Sequence, residues 1–489
     1  MKHMYKPIRT LVSSAVLAVI ASTTAQAGGF SLYTESNGYS VGNFGAGVAA
    51  EARDASTAWF NPAGLALIHD QQAVFGGVGV FPTSKVSGRT VYTTPNPAVP
   101  GTVLTYRQTF NNIDGAENAF VPSFHYARPL TDTVTFGLSL VSPFGLSTLW
   151  DSTTPVRYAA EKSELLVVNL SPSIGGKLTE HFFLGAGIDL QYAKVKFNQY
   201  LGSPALASFI STLQTGINNP TGLDSLSYNK GHSTGVGFHA GGMLVFNDNH
   251  TRVGLNYESK VKHKFNGYSE LRGPLANTAT NVLAAATWAN GTFRVNNLQS
   301  NRIEFPEVVT LSAYQDVNER VALLGSVVFT GWNVLRTIQL KNVAASGVST
   351  APAGQVFNVV ANSSSSENYR NAWRGALGAN VKVNEKLMVT FGGGYDQTPT
   401  RDAFRTVRLP DDDRWALSVG GHYQARPDIG VDVGYTYLWA ANKPPINKTQ
   451  FIGTSTFNVN GRADAHAHLL GGQIVWKMDG VDEKPAMKK

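Results

Sequence analysis

The side chains that could bind a metal ion lie in two short clusters. His466 and His468 are two residues apart on a predicted strand and therefore share one face, but no third ligand is evident nearby, and zinc takes at least three protein ligands. Asp411 to Asp413 could offer oxygen ligands to calcium, although solvated charges before a strand explain the same run. We therefore predict no metal site.

Motifs for catalysis are equally weak. The glycine run Gly392 to Gly394 lacks the helix and the Lys-Ser/Thr pair that follow a phosphate-binding loop. The sequence has no cysteine, which excludes disulfides and thiol chemistry, and it offers no recognisable pair of nucleophile and base. We predict that the protein is not an enzyme and uses no cofactor.

Residues 1–27 have the pattern of an export signal. A basic start from Lys2 to Arg9 precedes an apolar stretch, Leu11 to Ile20, that is short for a bilayer span, and Ala25-Gln26-Ala27 is typical of a cleavage site. We expect the mature chain to begin at Gly28. Removing the three basic residues of this signal lowers the formal net charge from +7 to about +4, which does not indicate binding to nucleic acid.

The rest of the chain consists of predicted strands joined alternately by short and long connections. The strands are predicted at 72–88, 118–128, 132–142, 163–177, 181–200, 231–247, 250–267, 302–316, 319–342, 369–383, 386–396, 412–425, 429–441 and 463–478. The short links are Pro129 to Asp132, Leu178 to Glu180, Asp248 to Asn249, Val317 to Asn318, Asn384 to Glu385 and Arg426 to Asp428. Short periplasmic turns and long outer loops are typical of barrels in the outer membrane. The sequence therefore predicts an all-β protein, a 14-stranded antiparallel transmembrane β-barrel over residues 71–478.

Alternation indicates which side chains face the lumen. Val433 and Tyr435 share one face of a strand, whereas Asp432 lies on the other, and charged residues belong inside. Several strands, such as Val321 to Thr330, are apolar on both faces, which a water-filled porin would not need. We therefore expect an apolar interior that suits a hydrophobic cargo.

Residues 28–70 precede the first strand and do not resemble a strand. They are rich in glycine, alanine and serine, with a short helix expected around Ala49 to Ala58. They also carry aromatic residues, which disordered segments usually lack. We predict an N-terminal hatch, a plug folded inside the lumen. The aromatic residues are Phe30, Tyr33, Tyr39, Phe44, Trp59 and Phe60.

Two of the long loops have helical patterns. One follows Pro204, and the other is the alanine-rich stretch from Leu275 to Ala289. Their apolar side chains could pack against each other or the barrel rim, or form an outward groove that captures apolar molecules, and the two roles are compatible. These side chains are Leu206, Phe209, Ile210, Leu213, Ile217, Val282, Leu283 and Trp288.

Several motifs occur in an order that resembles the FadL/TodX family of outer-membrane transporters of long-chain fatty acids and aromatic hydrocarbons. The resemblance spans essentially the whole mature chain. The motifs are Gly28-Gly29-Phe30, Asp54 to Leu65 with Asn61-Pro62-Ala63-Gly64, Ser142-Pro143-Phe144-Gly145-Leu146, Phe305-Pro306-Glu307, Tyr369 to Arg374, Ala376-Leu377-Gly378, Tyr395 to Pro399 and Leu409 to Trp415.

The resemblance implies a route for the cargo. Cargo lodges between outer loops, enters an interior pocket and leaves sideways through a gap beside a kinked third strand, without a coupled energy source. The kink would lie near Ser142-Pro143, because proline cannot donate to the strand ladder. The resemblance implies hatch or gating roles for Phe30, Asn61, Pro62 and Ala63, and a lateral opening lined by Ala119, Ser142, Pro143 and Gly241. Phe30 could instead only anchor the N-terminus, Asn61-Pro62 could start a turn, and the small residues on the strands could mark bends.

Two departures from the family bear on this interpretation. Fatty-acid members resemble one another in basic side chains near the pocket, but the matching places here hold Gln199 and Ser363 to Ser366. Lys194 and Lys196 lie nearby and share one strand face, so they could form a displaced carboxylate clamp or could be hydrated charges in the lumen. The cargo could also be a neutral aromatic compound. The last strand is followed by a polar tail, Asp479 to Lys489, where barrels usually end on an aromatic residue.

We therefore predict a passive transporter of hydrophobic small molecules in the bacterial outer membrane. We expect a monomer surrounded by outer-membrane lipid and lipopolysaccharide, with no nucleic-acid partner. Two alternatives are a general porin or adhesin, which would need a polar lumen without a plug, and an outer-membrane lipid-modifying enzyme, which would need a nucleophile and a base at one rim.

Overall fold

The computed structural model describes residues 30–96 and 99–478. The predicted export signal, the expected mature start at Gly28 and the polar tail from Asp479 lie outside the described residues. Among the residues described, no helix is both long and apolar enough to cross a membrane.

Fourteen antiparallel strands form a closed barrel, which confirms the predicted fold. The last strand pairs with the first over their full height, from Gln72 opposite Lys477 to Thr93 opposite Thr456, so the wall has no free edge there. In chain order the wall strands β1 to β14 are Gln72–Pro95, Ala119–Pro129, Val134–Val141, Lys162–Lys177, Phe182–Phe197, Ser225–Phe246, Thr251–Glu258, Val308–Asp316, Val321–Thr330, Ala372–Lys382, Leu387–Asp396, Arg414–Arg426, Ile429–Ala440 and Ser455–Lys477.

The short connections all lie at one end of the barrel, as predicted. At the other end several strands run on beyond the wall and pair with additional strands. Because a membrane β-strand needs only about 9–11 residues, β1, with 24 residues, extends well above the bilayer. The additional strands are Val103–Asp114, Gly145–Leu149, Gln199–Leu201, Val261–His263, Asn266–Gly273, Gly291–Ser300, Ile303–Phe305, Thr337–Thr350, Ala353–Ser366 and Pro445–Ile452.

The helices are short and lie in the hatch and the outer loops. The α-helices are Val48–Glu51 (α1), Thr57–Phe60 (α2) and Pro204–Thr215 (α3), and the 3-10 turns are Thr34–Ser36, Ser40–Gly42, Pro62–Leu67, Pro274–Ala276, Ala285–Thr287 and Trp332–Val334. Helix α3 confirms the pattern after Pro204. The helix expected around Ala49 to Ala58 is two separate turns.

The second predicted loop helix, over 275–289, was wrong. Only 3-10 turns form there, because polar side chains hydrogen-bond the nearby backbone and compete with helical bonding. The Asn281 side chain accepts a bond from the Leu283 amide, and the Thr287 hydroxyl donates to the Asn281 carbonyl.

Four strands predicted as continuous are interrupted, one of them, 181–200, only at Asn198. Strand 302–316 breaks at Pro306, which cannot donate to a ladder, and strand 250–267 breaks after Glu258. The segment predicted as 319–342 ends its wall strand at Thr330, and Thr337–Thr350 instead pairs with Ala353–Ser366 in an outer hairpin. Hydrophobic alternation continues through such a break, so the pattern does not reveal that the chain has left the wall.

Residues 30–70 fold inside the barrel and contact strands around its circumference. Wall side chains bind the backbone of this hatch: Arg374 donates to the Phe44 carbonyl at 2.8 Å, and Gln473 accepts from the Gly38 amide at 3.0 Å. Asp432 pairs with Arg53 at 2.9 Å. Glycine is required at positions such as Gly254, where a Cβ would overlap the Ala49 carbonyl. The interior is therefore polar where it holds the hatch, which corrects the expectation of an apolar lumen throughout.

Candidate functional site

The wall has a break between β2 and β3. In the described chain these strands pair only from Phe124 opposite Leu140 to Pro129 opposite Thr135. Strand β3 ends at Val141, and the chain resumes as Gly145–Leu149, paired with β4 alone among the wall strands. The upper part of β2, which begins at Ala119, therefore has no β3 residue opposite it.

Strand β3 ends just before Ser142 and Pro143, the residues at which the resemblance implies a kink. Both Ser142 and Ser123 are buried, and their hydroxyls have no hydrogen-bond partner within the described residues. Leaving a buried hydroxyl unpaired costs about 1–3 kcal/mol. This part of the wall is therefore less completely bonded than a regular strand pair.

The first residues of the hatch take the place of the missing strand partner. The Leu32 amide donates to the Pro143 carbonyl, and the Gly145 amide donates to the Phe30 carbonyl, each at 2.9 Å. Ser31 and Phe144 form an antiparallel bridge between these bonds. The hatch terminus thus bonds the chain on the β3 side of the break with its own backbone.

Phe30 also anchors the hatch terminus in an apolar cluster inside the barrel. The centre of its ring lies 4.5 Å from the ring centre of Trp332 and 6.2 Å from that of Phe144, and both contacts are edge-on. Only 7% of Phe30 is exposed. The interior cluster, as we call it, comprises Phe30, Phe144, Leu146, Leu165, Val167, Ala193, Val195, Phe265, Ile303, Phe305, Trp332, Leu335, Tyr369, Ala372 and Leu409.

Asn61, Pro62 and Ala63 lie away from this break. The Asn61 amide group donates to the Ala49 carbonyl at 2.7 Å and to the Gly242 carbonyl at 3.1 Å, and its oxygen accepts from the Ala63 amide. The Pro62 carbonyl packs on glycines of β4 and β5. Asn61 therefore satisfies backbone groups within the hatch and on β6, not on β3.

Gly241 is also separated from Ser142. It lies on β6, three strands around the wall from β3, and a Cβ there would overlap the Asn61 side-chain oxygen. Gly241 is thus a close-approach site for the hatch, whereas Ala119, Ser142 and Pro143 border the break. Spacing alone could not separate these positions, because it does not show which wall strands the hatch contacts.

The outer loops bring most of the predicted capture residues together. Leu206, Ile210 and Val282 are buried in one apolar cluster, with Leu283 and Trp288 packed against it. Three side chains of the same loop remain accessible: Phe209 is 36% exposed, Leu213 71% and Ile217 69%. The two faces therefore pack on each other and still present apolar surface outward.

Lys194 and Lys196 do not face the lumen. On β5 their neighbours Ala193 and Val195 belong to the interior cluster, so alternation directs both lysines outward. They share Glu164 on β4, at 3.2 Å and 2.8 Å. The prediction that they contact a ligand headgroup inside the barrel is corrected, because both side chains point away from the lumen.

A basic residue that the sequence did not indicate lies beside Gln199. Arg408, from the loop before β12, donates to the Gln199 side-chain oxygen at 2.9 Å and to the Ser163 hydroxyl at 3.0 Å. Within the described chain it has no carboxylate within ion-pair distance. Burial lowers the pKa of the Arg408 guanidinium to about 10, so it remains protonated at neutral pH.

A model of the outer membrane protein transport protein family (OMPP1/FadL/TodX) matches residues 18–477. The chain belongs to this family. Its members are outer-membrane transport proteins, which agrees with the closed barrel and places this protein in the outer membrane.

Individual relatives of this OMPP1/FadL/TodX member cover nearly all of it. The long-chain fatty acid transport protein of Escherichia coli O6:H1 (strain CFT073) is 29% identical over 466 residues, which are 93% of this chain and 97% of that protein. Outer membrane protein P1 of Haemophilus influenzae (strain Rd) is 28% identical, over 96% of this chain and 98% of that protein.

Solved structures show the same fold. A Pseudomonas aeruginosa FadL homologue has a TM-score of 0.73 at 23% identity, covering 92% of this chain and 100% of that one. The Pseudomonas putida toluene transporter TodX has a TM-score of 0.60 at 16% identity, covering 92% and 99%.

Proposed function

We propose that this family member carries hydrophobic molecules, with long-chain fatty acids as the main class, passively across the outer membrane. Support comes from the break between β2 and β3, beside which the hatch terminus bonds the backbone of Pro143 and Gly145. The cargo would enter at the outer loops, displace Phe30 from the interior cluster and leave sideways through the break. We expect the protein to act as a monomer surrounded by outer-membrane lipid and lipopolysaccharide, and we expect no catalytic step.

The choice of fatty acids rests on Arg408. Its neighbour Leu409 belongs to the interior cluster, and its guanidinium lies 5.8 Å from the ring centre of Phe197, which packs against that cluster. A cation without a carboxylate partner at the edge of an apolar pocket is complementary to a molecule with an anionic head and an apolar chain. Arg408 would thereby replace the basic residues that Gln199 and the serine run lack.

Opening the break has a moderate cost. Two backbone hydrogen bonds contribute about 1–3 kcal/mol together, and burial of the Phe30 ring contributes about 1.5–3 kcal/mol. A bound alkyl chain gains about 0.8 kcal/mol for each buried methylene. A long-chain fatty acid can therefore compensate for release of the hatch terminus without another energy source.

A reversible cross-link tests this route. The natural chain contains no cysteine, so the double variant Ser31→Cys/Phe144→Cys can form only the bond across the observed bridge, whose geometry suits a disulfide. We expect the oxidised variant to lose uptake of radiolabelled oleate by cells that lack other transporters, and dithiothreitol to restore it.

The control is the pair Thr449→Cys/Asn458→Cys, which are paired in an outer hairpin away from the break. Its uptake should not depend on oxidation. Normal oleate uptake by the fully oxidised Ser31/Phe144 variant would show that cargo does not need this break.

A further inference from the structure

The wall has a second irregularity, beside β6. Strand β7 pairs with β6 as far as Glu258 opposite His239, and pairing resumes only at Asn266 opposite His232. Between these points Val261–His263 leaves the wall and pairs with Ile303–Phe305 as a separate two-stranded ribbon. A depression of about 670 Å³ lies at this place on the barrel.

The ribbon has two chemically different faces. Two of its inward side chains, Ile303 and Phe305, belong to the interior cluster around Phe30. Its outward side chains are charged and exposed. The depression is lined by His232, Thr234, Lys262, His263, Lys264 and Arg302, among others.

The depression lies at the outer edge of the apolar band of the barrel. On β6 the outward residues Val236 and Phe238 are 67% and 52% exposed. The next three outward residues toward the outer loops are polar: Thr234, His232 and Lys230. On β5 outward Tyr192 is followed in the same way by Lys194, which lies opposite His232. The level at which apolar side chains give way to cations is that of the lipid headgroups.

Positive charge exceeds negative charge at this place. In the described chain Lys230, Lys264 and Arg302 have no carboxylate within 4.0 Å, the limit for an ion pair. Lys262 reaches Glu304 only at 3.7 Å, and both are partly exposed.

A buried polar atom also points to a missing partner. His263 lines the depression, only 1% of it is exposed, and its Nδ1 has no hydrogen-bond partner among the described residues. Its other ring nitrogen lies 3.3 Å from the Gln191 side-chain oxygen.

We propose that this depression binds the phosphate groups of an outer-leaflet lipid of the lipid A type. Arg302 and Lys264 would contact the phosphates, because guanidinium and ammonium groups form strong charge-assisted bonds to them. The acyl chains would lie along Val236 and Phe238. The inference rests on the outer-membrane location and is independent of the cargo, because neither cation belongs to the interior cluster.

Binding of purified lipid A to the detergent-solubilised full-length protein tests this site by native mass spectrometry. We expect the double variant Lys264→Gln/Arg302→Gln to bind diphosphorylated lipid A at least about tenfold more weakly than the natural protein, since it loses two charge-assisted bonds to phosphate. The natural protein should show a similar loss with lipid A from which both phosphates have been removed.

The matched control removes the same charge elsewhere. Arg89 and Arg107 are exposed cations of β1 and of the outer strand Val103–Asp114, and Arg89→Gln/Arg107→Gln should retain the natural affinity. Should the first double variant fail to fold, as judged by its gel mobility without heating, Arg302→Gln alone is expected to show a smaller loss of the same kind.

Two results would overturn the assignment. One is equal lipid A affinity for the natural protein and the folded Arg302 variants. The other is displacement of lipid A by millimolar inorganic phosphate, which would identify a site for the free ion rather than for a lipid.

Discussion

Replacement of Phe30 by alanine should release the hatch terminus from the break in the wall. The ring fills the centre of the interior cluster, in edge-on contact with Trp332 and Phe144. The backbone bonds of Leu32 and Gly145 across the break depend on that placement. Without the ring, the terminus loses its contacts with the interior cluster and keeps those bonds, the Ser31 bridge and the buried Leu32 side chain.

The size of the effect follows from the burial of the ring. The side chain is almost fully buried, and its removal should cost the docked state about 2 kcal/mol. A difference of that size raises the undocked population about thirtyfold. The barrel itself should remain folded, because its wall bonds do not involve Phe30.

Hydrogen exchange measured by mass spectrometry can detect this change. Peptides that contain the amides of Leu32 and Gly145 should exchange about thirtyfold faster in Phe30→Ala, while peptides from β11 and β12 should be unchanged. Phe81→Ala is the matched control, because Phe81 is 42% exposed on the outside of β1. Unchanged exchange at Gly145 in Phe30→Ala would refute the idea that the ring holds the break closed.

Three further predictions concern the cargo, the hatch and the outer loops. Arg408→Gln should weaken binding of oleate about tenfold or more in competition assays, because a charge-assisted bond is lost. Toluene binding should be unchanged. Equal losses for oleate and toluene would exclude a role for Arg408 in binding the headgroup. Gly241→Ala should destabilise hatch packing by about 1–3 kcal/mol and raise single-channel conductance, because the new methyl group overlaps Asn61. Gly242→Ala is the control: its methyl group meets the nearest atom at 3.5 Å, so conductance should be unchanged. Leu213→Asp should raise the oleate concentration that gives half-maximal uptake. The melting temperature should not fall, since the side chain is 71% exposed. An unchanged oleate concentration would show that helix α3 does not capture the cargo.

The sequence by itself determined the barrel. The alternation of side chains and the difference between short and long connections are local properties, so they predict the strand number and which end holds the turns. The opposite faces of Asp432 and Val433 follow from the same period: Asp432 is buried against the hatch and Val433 is 60% exposed. The resemblance implied a kink near Pro143, and the end of β3 at Val141 agrees with the local property that proline lacks the amide that a ladder needs.

The tertiary structure decided which side chains meet. Alternation assigns two faces to β5 but does not say which of them faces the lumen. The packing of Ala193 and Val195 in the interior cluster places Lys194 and Lys196 outside. Gly241 faces Asn61 because the hatch contacts the wall three strands away from the break. Arg408 reaches Gln199 across 209 residues of chain, a contact made by loop folding that no sequence period encodes. These contacts exist only once the barrel has closed around its hatch.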